Sequence, residues 1–408
     1  MSWQVGLSNT LPDMHPVKGF RLGTTSAGIK TTGRPDLVVM AMATGSTTAA
    51  VFTQNAFCAA PVIVAREHLG QQQPAYLLVN TGNANAGTGK AGIRDARQCC
   101  AALADYSGCS VQSVLPFSTG VIGEPLPLDK ILSSLPFALE KLDEQGWDAA
   151  ATGILTTDTV PKGASKRILL DGQTVTITGI AKGSGMIRPD MATMLAFIAT
   201  DAAIEHDVLH ECLRAAVERS FNRITVDGDT STNDACVLVA TGKSMAPALE
   251  RDGVDHERFC AALTDVCTQL AQAIVKDGEG ATRFVTVAVD NGRNTRECLD
   301  VAYTIAHSPL VKTALFAGDP NWGRILAAVG RSGITGLDLD NVQIYLDDVC
   351  IVRDGGRAPE YSEAAGQQVM DKKEITIRVV LNQGVCTESV WTCDLSYDYV
   401  KINAEYRS

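Results

Sequence analysis

Four short runs rich in branched residues fall within the first eighty positions: DLVVMAM, TTAAVFT, PVIVAR and AYLLVN. Runs of this length suit strands and are too short for free-standing helices. Glycine-rich loops separate them, without the regular strand–helix alternation of a doubly wound sheet, so the expectation is layered α+β. RILLDGQTVTITGI reads as a hairpin turned at Asp171-Gly172. IRDARQCCAALADYSG is a helical stretch. The clearest helix runs from His256 to Lys276, where Phe259, Leu263, Val266, Leu270 and Ile274 make one apolar stripe. Gly278 is a plausible stop beyond it. From Arg283 the pattern resets, with strands in RFVTVAVD, ITIRVVL and SVWTCDLS and a helix around Ala302. A boundary is therefore expected near residue 285, giving domains 1–285 and 286–408.

A net charge of −11, with 35 Lys and Arg scattered among 46 acids, disfavours nucleic acid or an anionic membrane as partner. The longest apolar stretch is cut by Asp201 and is too short to span a bilayer. The opening MSWQVGLSNTLPDM has neither the basic start and apolar core of a signal peptide nor the arginines of a transit peptide. Twelve cysteines contain no CxxC pair and read as reduced thiols of a cytoplasmic protein. His206 and His210 could share a helical face but have no evident Cys or His partners, so no metal site is expected. Gly87 to Gly92 fits GxGxxG between a strand and a helix, yet CSVQSVLPF lacks the acid that should follow. A tight loop feeding a helix explains it better than a dinucleotide site.

KGSGMIRPDMATMLAFIATDA, residues 182–202, places Thr193 inside an apolar run. A threonine hydroxyl is a weak nucleophile and needs an adjacent base, but no histidine lies in the segment. Cleavage of the Ala192–Thr193 bond would expose an α-amine of pKa about 7.7–8.0, near the optimum for a general base. Lys182 starts near about 10.4 and would need heavy desolvation for that task. On pattern alone, Thr193 is either one more β-branched strand residue or a self-activating nucleophile.

The segment KGSGMIRPDMATML resembles the signature of the ornithine acetyltransferase / glutamate N-acetyltransferase family of arginine biosynthesis. NTGNANAGTG, LPFSTGVIGEPLP, TTDTVPK, TVDGDTSTND, VKDGEGATRF, GDPNWGRI and YVKINAEYRS resemble further family blocks, in family order, from residue 80 to the last. The resemblance implies an α-β-β-α layered core, like that of self-activating aminopeptidases, with a smaller C-terminal α/β domain. It implies self-cleavage between Ala192 and Thr193 into an α chain, 1–192, and a β chain, 193–408. Thr193 would then carry acetyl from N2-acetyl-L-ornithine to L-glutamate in a ping-pong reaction.

The same resemblance assigns Thr119 and Gly120 to the oxyanion hole, where each donor contributes about 2.7–4 kcal/mol. A glycine turn ending a strand is the plainer reading of FSTGVIG. Substrate contacts implied are Thr156, Lys182, Thr193, Glu279, Asn403 and Ser408, with Thr157 the neighbour most easily confused with Thr156. Lys182 suits a substrate carboxylate. Glu279 follows the striped helix, where the dipole disfavours a carboxylate by about 0.3–1 kcal/mol. Ornithine's side-chain ammonium would complete it; a solvated loop acid is the plainer alternative. The tail is expected to return to the site. No cofactor is implied, although bifunctional members use acetyl-CoA as a co-substrate, and an α2β2 heterotetramer is the implied assembly. An N-terminal-nucleophile aminopeptidase or amidase is the competing activity.

Overall fold

The computed structural model describes residues 5–188 and 194–405. The chain folds into two compact units. One joins Ser8–Asn222 to Asp229–Ile274; the other joins Met1–Leu7, Arg223–Gly228 and Val275–Ser408. The division expected at 285 thus falls at Val275 instead. Its cause is the 277–283 loop, which belongs with the later strands: Asp394 accepts from the Thr282 and Arg283 N–H groups at 2.8 and 2.9 Å. Arg223–Gly228 joins the same unit through a bridge from Ile224 to Trp391.

In chain order the larger unit holds β1 (Phe20–Thr25), β2 (Leu37–Met42), β3 (Thr47–Phe52), α1 (Ala60–Gln71), β4 (Tyr76–Asn83) and α2 (Gly89–Ser107). There follow β5 (Val114–Val121), α3 (Leu128–Leu139), α4 (Trp147–Gly153), β6 (Lys162–Leu170), β7 (Gln173–Lys182), β8 (Leu195–Thr200), α5 (His206–Glu218), β9 (Ala235–Ala240) and α6 (Val254–Lys276). The strands form two sheets, ordered β1-β2-β4-β5 and β3-β9-β8-β7-β6. Val38, Met40, Leu77, Val79 and Leu115 of the first sheet meet Ile180, Leu195, Phe197 and Val237 of the second in one buried core. Phe117 and Phe197 cross between them edge to face at 5.2 Å. The outer face of the first sheet packs on α2 and α3 through Leu103, Ile131 and Leu135. On the second sheet's outer side, a Cβ at Gly179 of β7 would lie 3.2 Å from Leu270 of α6, while α5 lies against β3. The layers are therefore α-β-β-α, as expected. Each fully buried Leu, Ile, Val or Phe in them contributes about 1.5–3 kcal/mol.

Covered on both faces, β8 and β9 are buried at every position. That is why MLAFIAT reads as a continuous apolar run rather than an alternating one. The β6–β7 hairpin turns where expected, with Asp171 and Gly172 at φ +46° and +72°, as a two-residue hairpin loop prefers. PVIVAR, by contrast, is not a strand but the start of α1. Pro61 occupies its first turn, and Pro61, Val64, Ala65 and His68 fall on one buried face. The glycine pattern at 87–92 is consumed locally. Asn85, fully buried, takes the Thr88 hydroxyl at 2.7 Å and donates to the Gly92 carbonyl at 2.9 Å. A Cβ on Gly92 would sit 2.3 Å from Asn85 Oδ1. The loop fixes the entry of α2.

In the smaller unit the order is β10 (Phe284–Gly292), α7 (Thr295–Ala306), α8 (Pro309–Ala317), α9 (Trp322–Gly330), β11 (Gln343–Leu346) and β12 (Val349–Arg353). Then come β13 (Gly356–Arg357), α10 (Glu363–Met370), β14 (Glu374–Val380), β15 (Cys386–Cys393) and α11 (Tyr397–Ala404). One six-stranded sheet, ordered β13-β12-β11-β14-β10-β15, packs its Val287, Ile344 and Ile377 against Val301, Ile305 and Val329 of α7 and α9. Asn294, Ser308, Asn321 and Ser362 cap four of its helices with side-chain acceptors. Among the described residues, no helix is long and apolar enough to cross a membrane.

Candidate active site

Parallel strands β4 and β5 of the larger unit end side by side, with Thr81 opposite Thr119 and Gly82 opposite Gly120. Gly120 sits at φ +136°, and an added Cβ would lie 2.3 Å from the Gly82 carbonyl carbon. Only glycine fits there. FSTG thus lies within β5 near its C-terminal end, and it sets Thr119 near the strand's open end. Asn233, just before β9, holds this end in place by donating to the carbonyls of Ala84 and Ser118 at 2.7 and 2.9 Å.

Lys182 closes β7, paired in register with Leu195 at the head of β8. Its Nζ donates to Thr119 Oγ1 at 3.2 Å, joining the ends of the two sheets. The same ammonium lies 4.0 Å from Asp158 Oδ2, and Lys162 makes the short ion pair with Oδ1 at 2.6 Å. Neither the Asp158 nor the Lys162 side chain is exposed to solvent. Asp158 also accepts from the Thr156 N–H at 3.0 Å and the Gly183 N–H at 2.7 Å. Burial works against its charge, but the two ammonium groups and these hydrogen bonds prevail and hold the carboxyl well below the usual carboxylate range. Thr156, Lys182 and the start of the KGSG loop are therefore organised around one carboxylate. Further along, Met186 adopts a left-handed φ of +54°, costly for a side chain of that kind. Thr157, the near neighbour of Thr156, shares a hydrogen bond with Ser184 at 2.7 Å.

Within the smaller unit, Glu279 is only 8% exposed. A solvated loop acid is excluded. Its Oε2 accepts from Asn403 Nδ2 at 2.8 Å, and Asn403 also donates to the Tyr399 carbonyl at 3.0 Å. Helix α11 is seated on the same loop. Ser396 donates to the Gly280 carbonyl at 2.7 Å, and the Tyr399 hydroxyl reaches Asp227 at 3.2 Å. Helix α11 is thereby fixed beside Glu279.

The structure gathers Thr119, Gly120, Thr156 and Lys182 in the larger unit and joins Glu279 to Asn403 in the smaller. Ala192, Thr193 and Ser408 lie outside the described residues. Three residues escaped the sequence reading. Asp158 and Lys162 stand four apart in TTDTVPK, where an acid beside Thr156 was the available signal. Asn233 is the penultimate residue of the TVDGDTSTND block and offered no signal beyond its place in it. His206 and His210 stack at 6.3 Å on α5. The structure instead groups Cys212, His256 and Cys260.

Residues 21–408 match the ArgJ family. The arginine biosynthesis bifunctional protein ArgJ of Pseudomonas fluorescens is 58% identical over 405 residues, covering 99% of this chain and 100% of that one. Its counterpart from Methylococcus capsulatus is 59% identical over 393 residues, covering 96% of each. Among solved structures, the Bacillus halodurans arginine biosynthesis bifunctional protein aligns with a TM-score of 0.48 and 40% identity, over 50% of this chain and 95% of that one. An ornithine acetyltransferase from Mycobacterium tuberculosis, complexed with ornithine, aligns at 0.36 and 33%, over 44% and 93%. With a match across nearly all its length and relatives this similar end to end, the chain belongs to the ArgJ family.

Proposed function

We infer that this protein is a self-cleaving acyltransferase of arginine biosynthesis, moving acetyl from N2-acetyl-L-ornithine to L-glutamate. The observation that carries this reading is 58% identity along 99% of the chain to a bifunctional arginine biosynthesis protein. Thr193 is the nucleophile. Its hydroxyl attacks the Ala192 carbonyl, the acyl group passes from nitrogen to oxygen, and water hydrolyses the ester. The freed α-amine, with a pKa of about 7.7–8.0, then serves as base for the same hydroxyl. Attack on the acetyl carbonyl of the donor gives an acetyl-Thr193 ester and releases ornithine; glutamate's amine takes the acetyl group.

Each attack places a negative charge on the carbonyl oxygen, and Thr119 and Gly120 supply the donors. The Lys182–Thr119 contact supports this role for the hydroxyl: its oxygen accepts from an ammonium, which strengthens the O–H as a donor. Lys182 also offers a cation to the substrate's carboxylate, and Asp158 fixes its position. Thr156 provides a polar contact on the same carboxylate-organised loop. Glu279 takes the side-chain ammonium of ornithine, with Asn403 and Ser408 alongside. The bifunctional names of the relatives support a second reaction, acetylation of glutamate from acetyl-CoA. Two α and two β chains in the cytoplasm complete the proposal.

Intact mass of the purified protein, followed by acetyl-transfer assays with and without acetyl-CoA, tests it. Two chains and transfer from acetylornithine are expected. Release of amino acids from peptides, without transfer to glutamate, would favour an aminopeptidase and overturn the reading.

A further inference from the structure

Helices α5 and α6 of the larger unit cover different strands of the second sheet, and three side chains with metal-binding atoms converge where the helices meet. Cys212 comes from α5; His256 and Cys260 stand one turn apart on α6. The two sulfurs lie 3.1 Å apart. His256 Nε2 is 3.5 Å from Cys212 Sγ and 3.6 Å from Cys260 Sγ. Cys212 is buried, whereas His256 and Cys260 are partly exposed, so the group is closed from below and open to solvent on one side.

We propose that Cys212, His256 and Cys260 bind a zinc ion that clamps α5 to α6. Tetrahedral zinc, with Zn–S of about 2.3 Å and Zn–N of about 2.0–2.1 Å, requires about 3.6 Å between sulfur and nitrogen and about 3.8 Å between sulfurs. Both sulfur–nitrogen distances already meet that requirement. The sulfurs must part by about 0.7 Å from their 3.1 Å separation, a small adjustment for the partly exposed Cys260. Two thiolates and a neutral imidazole suit a borderline-soft divalent cation, and the pair of thiolates balances its charge.

Binding forms two Zn–S bonds and one Zn–N bond, releases the thiol protons to solvent, and leaves water in the fourth position. The cation's charge drives off both thiol protons as it binds. The site uses none of the groups assigned to acetyl transfer, so it stands or falls separately from that activity.

The experiment is a cobalt(II) titration of the full-length protein, reduced and stripped of metal by a chelator. One cobalt per chain is expected, with tetrahedral d–d bands and a thiolate-to-cobalt charge-transfer band, both bleached by equimolar zinc. Cys260→Ser and His256→Ala should each weaken binding at least about tenfold, the first also halving the charge-transfer intensity. Cys58→Ser, away from the group, should bind as the parent does. Zinc should raise the melting temperature of the parent and leave Cys260→Ser unmoved. No tetrahedral spectrum, binding indifferent to both substitutions, or a Cys212–Cys260 disulfide that persists in reductant would overturn the proposal. Cys260 and His256 are partly exposed, so these variants fold even if Cys212→Ser does not.

Discussion

The two units hold their charged groups in opposite ways. Asp158 in the larger unit is sealed from solvent, paired with Lys162 and bonded to two backbone N–H groups. Glu279 in the smaller unit accepts a short hydrogen bond from an amide on an exposed terminal helix. A carboxylate fixed from four directions cannot follow a substrate; it can hold a lysine and a loop still while charge develops nearby. One held by an amide can exchange that partner for a substrate ammonium at modest cost. On the proposed function, the difference separates a frame for the reaction from a contact for recognition.

The comparison breaks first at Asp158. Asp158→Asn removes the carboxylate paired with the buried Lys162 ammonium and should cost about 3–5 kcal/mol, read as a lower urea midpoint at pH 7. The pH dependence has a definite sign. Because the folded carboxyl lies below its unfolded value near 3.9, its stabilising contribution is complete above about pH 5 and is lost as pH falls toward the folded value. Asp158→Asn should lack that part of the acid-side loss. Equal midpoints for variant and parent at pH 7 would show that the sealed carboxylate supports nothing.

Next in size is Gly120→Ala. A methyl 2.3 Å from the Gly82 carbonyl carbon displaces the strand end, and kcat for acetyl transfer should fall by about 10²–10³-fold. Unchanged kcat in a folded variant would remove Gly120 from the reaction. Glu279→Gln should raise KM for acetylornithine by about tenfold to a hundredfold while leaving self-cleavage intact. A fall in cleavage instead would make Glu279 part of the frame rather than of recognition. The smallest effect belongs to Asn403→Ala, worth about 1 kcal/mol and a rise of about fivefold in the same KM.

Local patterns carried much of this architecture into the sequence. The striped helix became α6, the Asp171-Gly172 turn became the β6–β7 hairpin, and MLAFIAT reads as the buried strand β8. PVIVAR misled because a branched run of six fits a strand or the first turns of a helix, and only packing against β5 and α2 decides. Thr119, Lys182 and Glu279 could be singled out in the sequence because each belongs to a family block. Asp158 and Lys162 were not singled out, since nothing in TTDTVPK says that both side chains are sealed from water. Cys212, His256 and Cys260 escaped for a different reason. Two lie one helical turn apart, but the third is 44 residues away from His256 on another helix. Spacing reports neighbours on one element; it is silent on elements that meet only in the fold.

The central claim is that Thr193, once its own amide bond is cut, carries the acetyl group. Intact-mass spectrometry of the parent and of Thr193→Ala during turnover of acetylornithine tests it most directly. The account predicts two fragments from the parent, the one beginning at Thr193 gaining an acetyl group, and a single unacetylated chain of 43.2 kDa from the variant. An active parent found only as the uncut chain, or a variant that still splits at that bond, would contradict it.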